Sequence, residues 1–364
     1  MHKVIILGSG NIGFTVALLL SNNKNYDVTL VSRHKRQLST TAKKLNIKYE
    51  VFDFEKNKNY SKLLKPFDSV ISALPFYLNI QVAKAALKIG LNYFDFTEDV
   101  ETTQAIEKLA LKAKKNQVFI PQCGLAPGFI SILAYDIYKQ FEQVHSIKMR
   151  VGALPINPSN KILYNLTWST DGLINEYSNE GFAIKDSKLI ITQPLSSLEN
   201  FSLDGLEYEA FNTSGGLGTL CQTLLGKVKE LNYKTIRYKG HQSYLDFLIN
   251  DLYLGKKKRR HILKEILQYA IPSTKQDVVL VFCSVIGVKN GKLEQITDVR
   301  KIYNQTIFEN EQSSIQITTA SSLCAILDMY VNKKIKKSGF VKQESINLND
   351  FINNVFGKVY AKDK

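Results

Sequence analysis

Three glycines in "GSGNIG", Gly8, Gly10 and Gly13, stand in the G-x-G-x-x-G spacing of a dinucleotide-binding loop. The first permits a tight turn, the second lets backbone approach a pyrophosphate, and the third lets the following helix pack on the preceding strand. Ser9, Asn11 and Ile12 share the loop, whose amides would meet the phosphates at the positive end of a helix dipole. The spacing alone is a weak signal. Here an apolar strand precedes it, and a helix and a second strand follow at the right distance. About twenty residues on, "VSRHKRQ" (31–37) puts Ser32 and Arg33 where a chain that binds an unphosphorylated ribose keeps an acid. A hydroxyl and a guanidinium suit a phosphate dianion, and a guanidinium also stacks on adenine. These residues point to NADP(H), with NAD(H) as the alternative.

Further candidates end successive apolar runs, where ligands of a doubly wound sheet bind. Asp53 follows the third run and is placed to reach an adenine. Ala73, Leu74 and Pro75 end the fourth. Thr97, Glu98 and Asp99 end the fifth, close to where a nicotinamide would lie, and Gly124 follows the sixth. Downstream, Arg237 and His241 lie four apart across a strand-to-turn junction. A guanidinium can hold a carboxylate with two parallel hydrogen bonds, and an imidazole can titrate near neutral pH. Trp168 is the only tryptophan, as readily core as site. Gly216, in "FNTSGGLGT", belongs either to an anion cradle or to an ordinary turn before a helix.

The elements that must position these residues are legible as patterns. Strand-like runs "KVIILG", "YDVTLVS", "KYEVFDF", "DSVISAL", "NYFDFT" and "QVFIPQ" alternate with helical stretches at 11–21, 34–45, 77–89 and 101–115. Such alternation calls for a parallel sheet covered on both faces. After "CGLAPG" the texture changes to longer strands, including a hairpin in "GFAIKDSKLIIT" and another turning at Asn290-Gly291, the dipeptide preferred by a type I′ turn. Helices are expected at 128–140, about 170–178, 219–229, 241–252 and 259–270, and over "SSIQITTASSLCAILDMYVN". The fold class is therefore α/β: an N-terminal Rossmann sheet, doubly wound and parallel, with a second α+β domain containing a mostly antiparallel sheet. The boundaries expected are 1–127, completed by a return at 320–364, and 128–319.

Composition narrows the classes. The chain has 364 residues and a net charge of +15, from 48 Lys+Arg against 33 Asp+Glu. The densest basic run, "GKKKRRH" at 255–261, lacks interleaved aromatics and reads as a solvated loop rather than a nucleic-acid surface. No run approaches the length of a membrane span. The opening apolar run is too short for a secretory signal. Four well-separated cysteines lack metal spacing, so reduced thiols, no metal and a cytoplasmic location are expected.

Taken in order, "GSGNIG", "SALP", "CGLAPGF", "GALP", "TWSTDGLINEY" and "RYKGH" resemble the saccharopine dehydrogenase family nearly end to end. That family also includes lysine dehydrogenase and carboxynorspermidine dehydrogenase. The resemblance implies a Rossmann domain plus a substrate domain, hydride exchange at a carbon bearing nitrogen, and a C-terminal segment returning to the Rossmann domain. It also implies a homodimer, with the strands near 277–303 as candidate interface. Hydride leaves an amine-bearing carbon only when the nitrogen offers its lone pair, so a general base must first take a proton. His241 is the expected base, with Glu98 or Asp99 as competitors. Arg237 is expected to hold the α-carboxylate, Asn175 and Glu176 to bind the amino group, and Trp168 and Gly216 to line the substrate site. Two positions depart from the fungal glutamate-forming reductases, which carry "GLDPG" and a strand cysteine where this chain has Ala126 and Val151. A lysine-like or other amino-acid substrate is expected in consequence. The alternatives are a polyamine enzyme of the carboxynorspermidine dehydrogenase kind, or a non-catalytic NADP(H) sensor or scaffold.

Overall fold

The computed structural model describes residues 1–57 and 59–362. They form two compact units, Met1–Phe129 with Gln316–Lys364, and Ile130–Ile315. The first unit opens with β1 (His2–Leu7), α1 (Asn11–Ser21), β2 (Tyr26–Ser32), α2 (Lys35–Leu45), β3 (Lys48–Val51) and α3 (Tyr60–Leu64). It continues with β4 (Ser69–Ser72), α4 (Phe76–Ile89), β5 (Asn92–Asp95), α5 (Val100–Ala110) and β6 (Val118–Ile120). The central strands are apolar on both faces, Val4 to Leu7 being wholly buried, because helices cover both sides. α4 and α5 pack with Val70, Tyr93 and Phe119 in one core cluster. The edge strand β3 is exposed along its length, and Lys48 pairs with Asp27 of the neighbouring strand at 2.8 Å. Such charges blunt an edge against stray pairing.

α6 (Phe129–Tyr138) leads into the second unit, which begins with β7 (Gln143–Pro155), α7 (Thr170–Ser178), β8 (Gly181–Lys185) and β9 (Lys188–Thr192). Then come β10 (Glu199–Leu203), β11 (Leu206–Phe211), α8 (Leu220–Leu224), β12 (Val228–Tyr238) and α9 (His241–Asp246), which runs on as one π-helical turn, Phe247–Asp251. α10 (Arg260–Ala270), β13 (Asp277–Lys289), β14 (Lys292–Tyr303) and the small hairpin β15 (Gln305–Ile307) and β16 (Asn310–Gln312) complete it. The main sheet runs β10-β11-β12-β7-β13-β14, with β8 and β9 attached through β12. It is mixed: β12 and β7 are parallel, while β11–β12, β7–β13 and β13–β14 are antiparallel. The β13–β14 hairpin turns at Asn290 and Gly291, both with positive φ (51° and 72°), as the type I′ turn requires.

α11 (Ser314–Val331), β17 (Gly339–Phe340) and α12 (Leu348–Ile352) end the described chain. β17 adds a parallel strand beside β6, giving the order β17-β6-β5-β4-β1-β2-β3. Strand order reverses between β1 and β4, the point at which doubly wound sheets bind ligands. The returning segment is anchored in the first unit by polar and aromatic contacts. Tyr26 donates to Asp328 at 2.6 Å, and the rings of Phe129 and Tyr360 stack with centroids 3.8 Å apart.

Candidate functional site

In the first unit the glycines meet three different demands. Gly8 has φ +105°, and a Cβ there would lie 2.5 Å from the Ala73 carbonyl oxygen. A Cβ on Gly13 would fall 1.9 Å from the Gly8 carbonyl oxygen. Gly10 differs: a Cβ there would meet nothing within 4 Å. Its missing side chain leaves open space in front of the N-terminus of α1, which no side chain caps. The residues therefore fit a dinucleotide whose pyrophosphate lies over Gly10, against uncapped amides and the positive helix end.

The cavity in front of this loop has a volume of about 310 Å³. Gly8, Ser9, Gly10, Ser32, Arg33, Asp53, Ala73, Leu74 and Pro75, all expected from the sequence, line it. Asn11, Ile12 and Gly13 lie in the first turn of α1. His34, in the basic stretch that follows Arg33, also lines it, as do Gln37, Glu55 and Tyr77, which the sequence did not single out. They come from α2, the β3–α3 loop and α4, and only tertiary structure gathers them. Asp53 accepts from the Glu55 and Lys56 amides at 3.0 and 3.2 Å, so its carboxylate shapes the loop beside the cavity. Arg33 pairs with Glu55 at 3.2 Å, both about half exposed.

At the end of β5, Asp95 is wholly buried and organises the strand ends. It accepts from Tyr93 Oη at 2.7 Å, from the Thr97 amide at 2.9 Å and from the Gln122 amide at 3.0 Å. Thr97 and Gly124 are thereby placed on adjacent strand ends, but neither lines the cavity. Burial pushes Asp95 up to about 6 against those hydrogen bonds. Burial, with Asp99 and Asp95 nearby, pushes Glu98 up to about 7. Asp99 is occupied otherwise: it is the N-cap of α5, accepting from the Thr102 amide at 2.8 Å. The expectation that Asp99 competes as a base gives way to this structural duty.

The second unit holds a buried cationic box. Arg237, on β12, is 3% exposed; its Nη1 donates to the adjacent Ile236 carbonyl at 2.8 Å, and its side chain also hydrogen-bonds with Tyr177. Its Nε has no hydrogen-bond partner. The guanidinium lies 5.0 Å from the Tyr164 ring centroid and 5.8 Å from that of Tyr177. Burial works against its charge, but Tyr177, Tyr164 and Glu176 together hold its pKa above the ordinary value. Its Nε is thus a buried donor that an acceptor with a lone pair, such as a carboxylate oxygen, would satisfy.

His241, wholly buried at the start of α9, does not meet the expectation of titrating near neutrality. Burial and the charge of Arg237 lower its pKa to about 3. Its Nδ1 lies 2.8 Å from the Ile162 carbonyl, which can only accept, so that nitrogen carries the proton. Nε2 then accepts from Tyr177 Oη at 3.2 Å. The ring also stacks on Phe211, at an interplanar angle of 9°. His241 is a neutral wedge that fixes Tyr177 beside Arg237.

Four other expected residues are placed as follows. Asn175 accepts from Asn179, the residue just past its helix, at 2.5 Å, which leaves the carbonyl end of its amide committed. A Cβ on Gly216 would lie 2.3 Å from the Tyr233 ring, so this glycine makes room for an aromatic ring rather than cradling an anion. Trp168 is half-buried against the core of the unit, its ring over Gly172. Glu176, nearly buried, is the carboxylate that acts on Arg237.

A parallel sheet with an open pyrophosphate loop, joined in one chain to a mixed-sheet unit, defines a dinucleotide-binding protein of the Rossmann class with an appended second domain. The chain belongs to the saccharopine dehydrogenase family: residues 4–120 match its NADP binding domain and residues 124–360 its C-terminal domain. Among its relatives, mouse mitochondrial alpha-aminoadipic semialdehyde synthase is 26% identical over 256 residues, covering 67% of this chain and 27% of that one. The Schizosaccharomyces pombe saccharopine dehydrogenase [NADP(+), L-glutamate-forming] is 20% identical over 276 residues, covering 73% of this chain and 61% of that one. The chain thus spans about a quarter of the mouse protein's length. In fold it is similar to the apo L-Glu-forming saccharopine dehydrogenase of Saccharomyces cerevisiae, with a TM-score of 0.78 at 17% identity, covering 96% of each chain. The Legionella pneumophila homospermidine synthase shares the fold more distantly, at a TM-score of 0.67 and 13% identity over 100% of this chain and 90% of that one.

Proposed function

We propose that this chain is an NADP(H)-dependent oxidoreductase acting on the C–N bond of an amino acid, saccharopine or a lysine-like amine, by hydride transfer. The observation that carries the reading is Arg237, a buried guanidinium whose Nε lacks a partner, in a chain whose other unit is the family's NADP binding domain. When bound, the nicotinamide supplies the hydride acceptor or donor. Arg237 serves as the carboxylate clamp, with Tyr164 and Tyr177 flanking it. Glu98 serves as the general base, since a carboxyl at about 7 can accept a proton from an ammonium and return it near neutral pH. Ala126 and Val151, at the two positions that depart from the fungal reductases, favour a substrate other than saccharopine itself.

We further propose a homodimer in the cytoplasm. β14 is an outer strand of its sheet and exposes Leu293 and Tyr303, which supports pairing through 277–303. The four cysteines are buried and unpaired, in keeping with a reducing compartment.

The test of function is an absorbance screen pairing NADP⁺ and NAD⁺ with lysine, saccharopine, ornithine and polyamines, then NADPH with aldehyde–amine pairs. Turnover with a carboxylate-bearing amine is expected. Tight NADPH binding without any amine-dependent change would make the protein a sensor instead. Light scattering tests the dimer.

A further inference from the structure

Arg33 stands at the end of β2, where it can meet a 2′-phosphate, yet it is not idle. Its Nη1 lies 3.2 Å from Glu55 Oε2, and the other oxygen, Oε1, accepts from Tyr77 Oη at 3.4 Å. Both members of the pair line the dinucleotide cavity. Arg33 also donates from Nε to His34 at 3.2 Å, and Lys35 and Arg36 continue the basic lip. The acid that the end of β2 lacks is therefore supplied from the β3–α3 loop, across the same cavity. Glu55 sits next to Asp53, whose carboxylate pins the Glu55 amide and so fixes where the side chain starts.

We propose that Glu55 is the residue by which this chain discriminates a 2′-phosphorylated from an unphosphorylated dinucleotide. The inference rests on the nucleotide-binding reading of the first unit. A phosphate dianion beside Arg33 must displace Glu55 and meets its negative charge at close range; an unphosphorylated ribose offers a hydroxyl that Glu55 can accept from. Glu55 thus lowers affinity for NADPH and raises affinity for NADH. The pair is half exposed, so the effect is moderate.

The experiment titrates NADPH and NADH by fluorescence against the full chain, Glu55→Gln, Arg33→Ala and the double variant. Glu55→Gln should tighten NADPH by about 2- to 5-fold and weaken NADH by a similar factor, as expected for an exposed charge at hydrogen-bond range. In the Arg33→Ala background the NADPH gain should shrink, because part of it is the release of Arg33. A Glu55→Gln ratio of affinities within twofold of the parent's overturns the proposal. So does equal weakening of both cofactors, which would make Glu55 a support for its loop. If the parent binds neither cofactor, the nucleotide reading fails and takes this inference with it.

Discussion

At the residue scale, the two cationic candidates of "RYKGH" separate into a receptor and a prop. Arg237→Ala should raise KM for the amino acid while leaving kcat largely intact, since a carboxylate contact exists in ground and transition states alike. Arg237→Lys should not restore it, because an ammonium cannot present the planar fork. Steady-state kinetics at saturating NADP⁺ decide both. Glu98 carries the pH argument. A base at about 7 works only when ionised, so kcat/KM should fall as pH drops through that value. Glu98→Gln should abolish the limb and lower kcat by about 10²- to 10⁴-fold; a surviving limb would place the base elsewhere. For His241 the expected signature is stability. Its folded pKa of about 3 lies below the ordinary 6.5. The unfolded chain therefore binds a proton that the folded one does not, and stability present above 6.5 is lost as pH falls toward 3. His241→Asn should lower Tm at pH 7 through lost packing and flatten that acid limb. Unaltered melting curves at pH 7 and pH 5 would show that the imidazole is not the wedge described. A sequence displays a histidine's type but not its burial, which is why its chemistry was read as titrating.

At the scale of elements, the dinucleotide loop permits a clean dissection. Gly10→Ala puts a methyl into open space and Gly13→Ala puts one against a carbonyl oxygen. The first should fold with parental Tm and lose NADPH affinity, because the methyl occupies the path of the pyrophosphate. The second should lose both. Parallel thermal melts and fluorescence titrations separate them, and equal Tm losses would contradict the geometry. The same scale shows what was legible. Alternating runs of period two and stretches of period 3.6 located the Rossmann strands and helices, because there burial follows local pattern. The Asn290-Gly291 hairpin was readable from two residues. The expected helix at 219–229 instead stops at Leu224, since β12 starts at Val228. The expected helix at 241–252 changes to π geometry after Asp246. The parallel pairing of β12 with β7 joins Val228 to Val144, and no local signal reports a partner so far off in the chain. Glu55 escaped for the same reason.

At the scale of the whole molecule, the first unit is made from two separated stretches of chain. Residues 1–129 expressed alone should lack β17 beside β6, the Asp328 partner of Tyr26 and the Tyr360 ring over Phe129. They should aggregate or bind no NADPH. Joining them through a flexible linker to 316–362 should restore binding, measured by NADPH fluorescence. Restoration absent, or full binding by 1–129 alone, would mean that the returning segment is dispensable. The arrangement also fixes an order of events during synthesis. The pyrophosphate loop leaves the ribosome well before residues 316–362, so the sheet behind that loop must wait, with the β6 edge and the Phe129 ring uncovered, while nearly two hundred further residues are threaded out. The second unit is free to fold in that interval. A stalled or prematurely released chain would present a raw sheet edge and no finished nucleotide site, so incomplete copies would be marked for capture by chaperones or proteases rather than competing with the finished protein for cofactor.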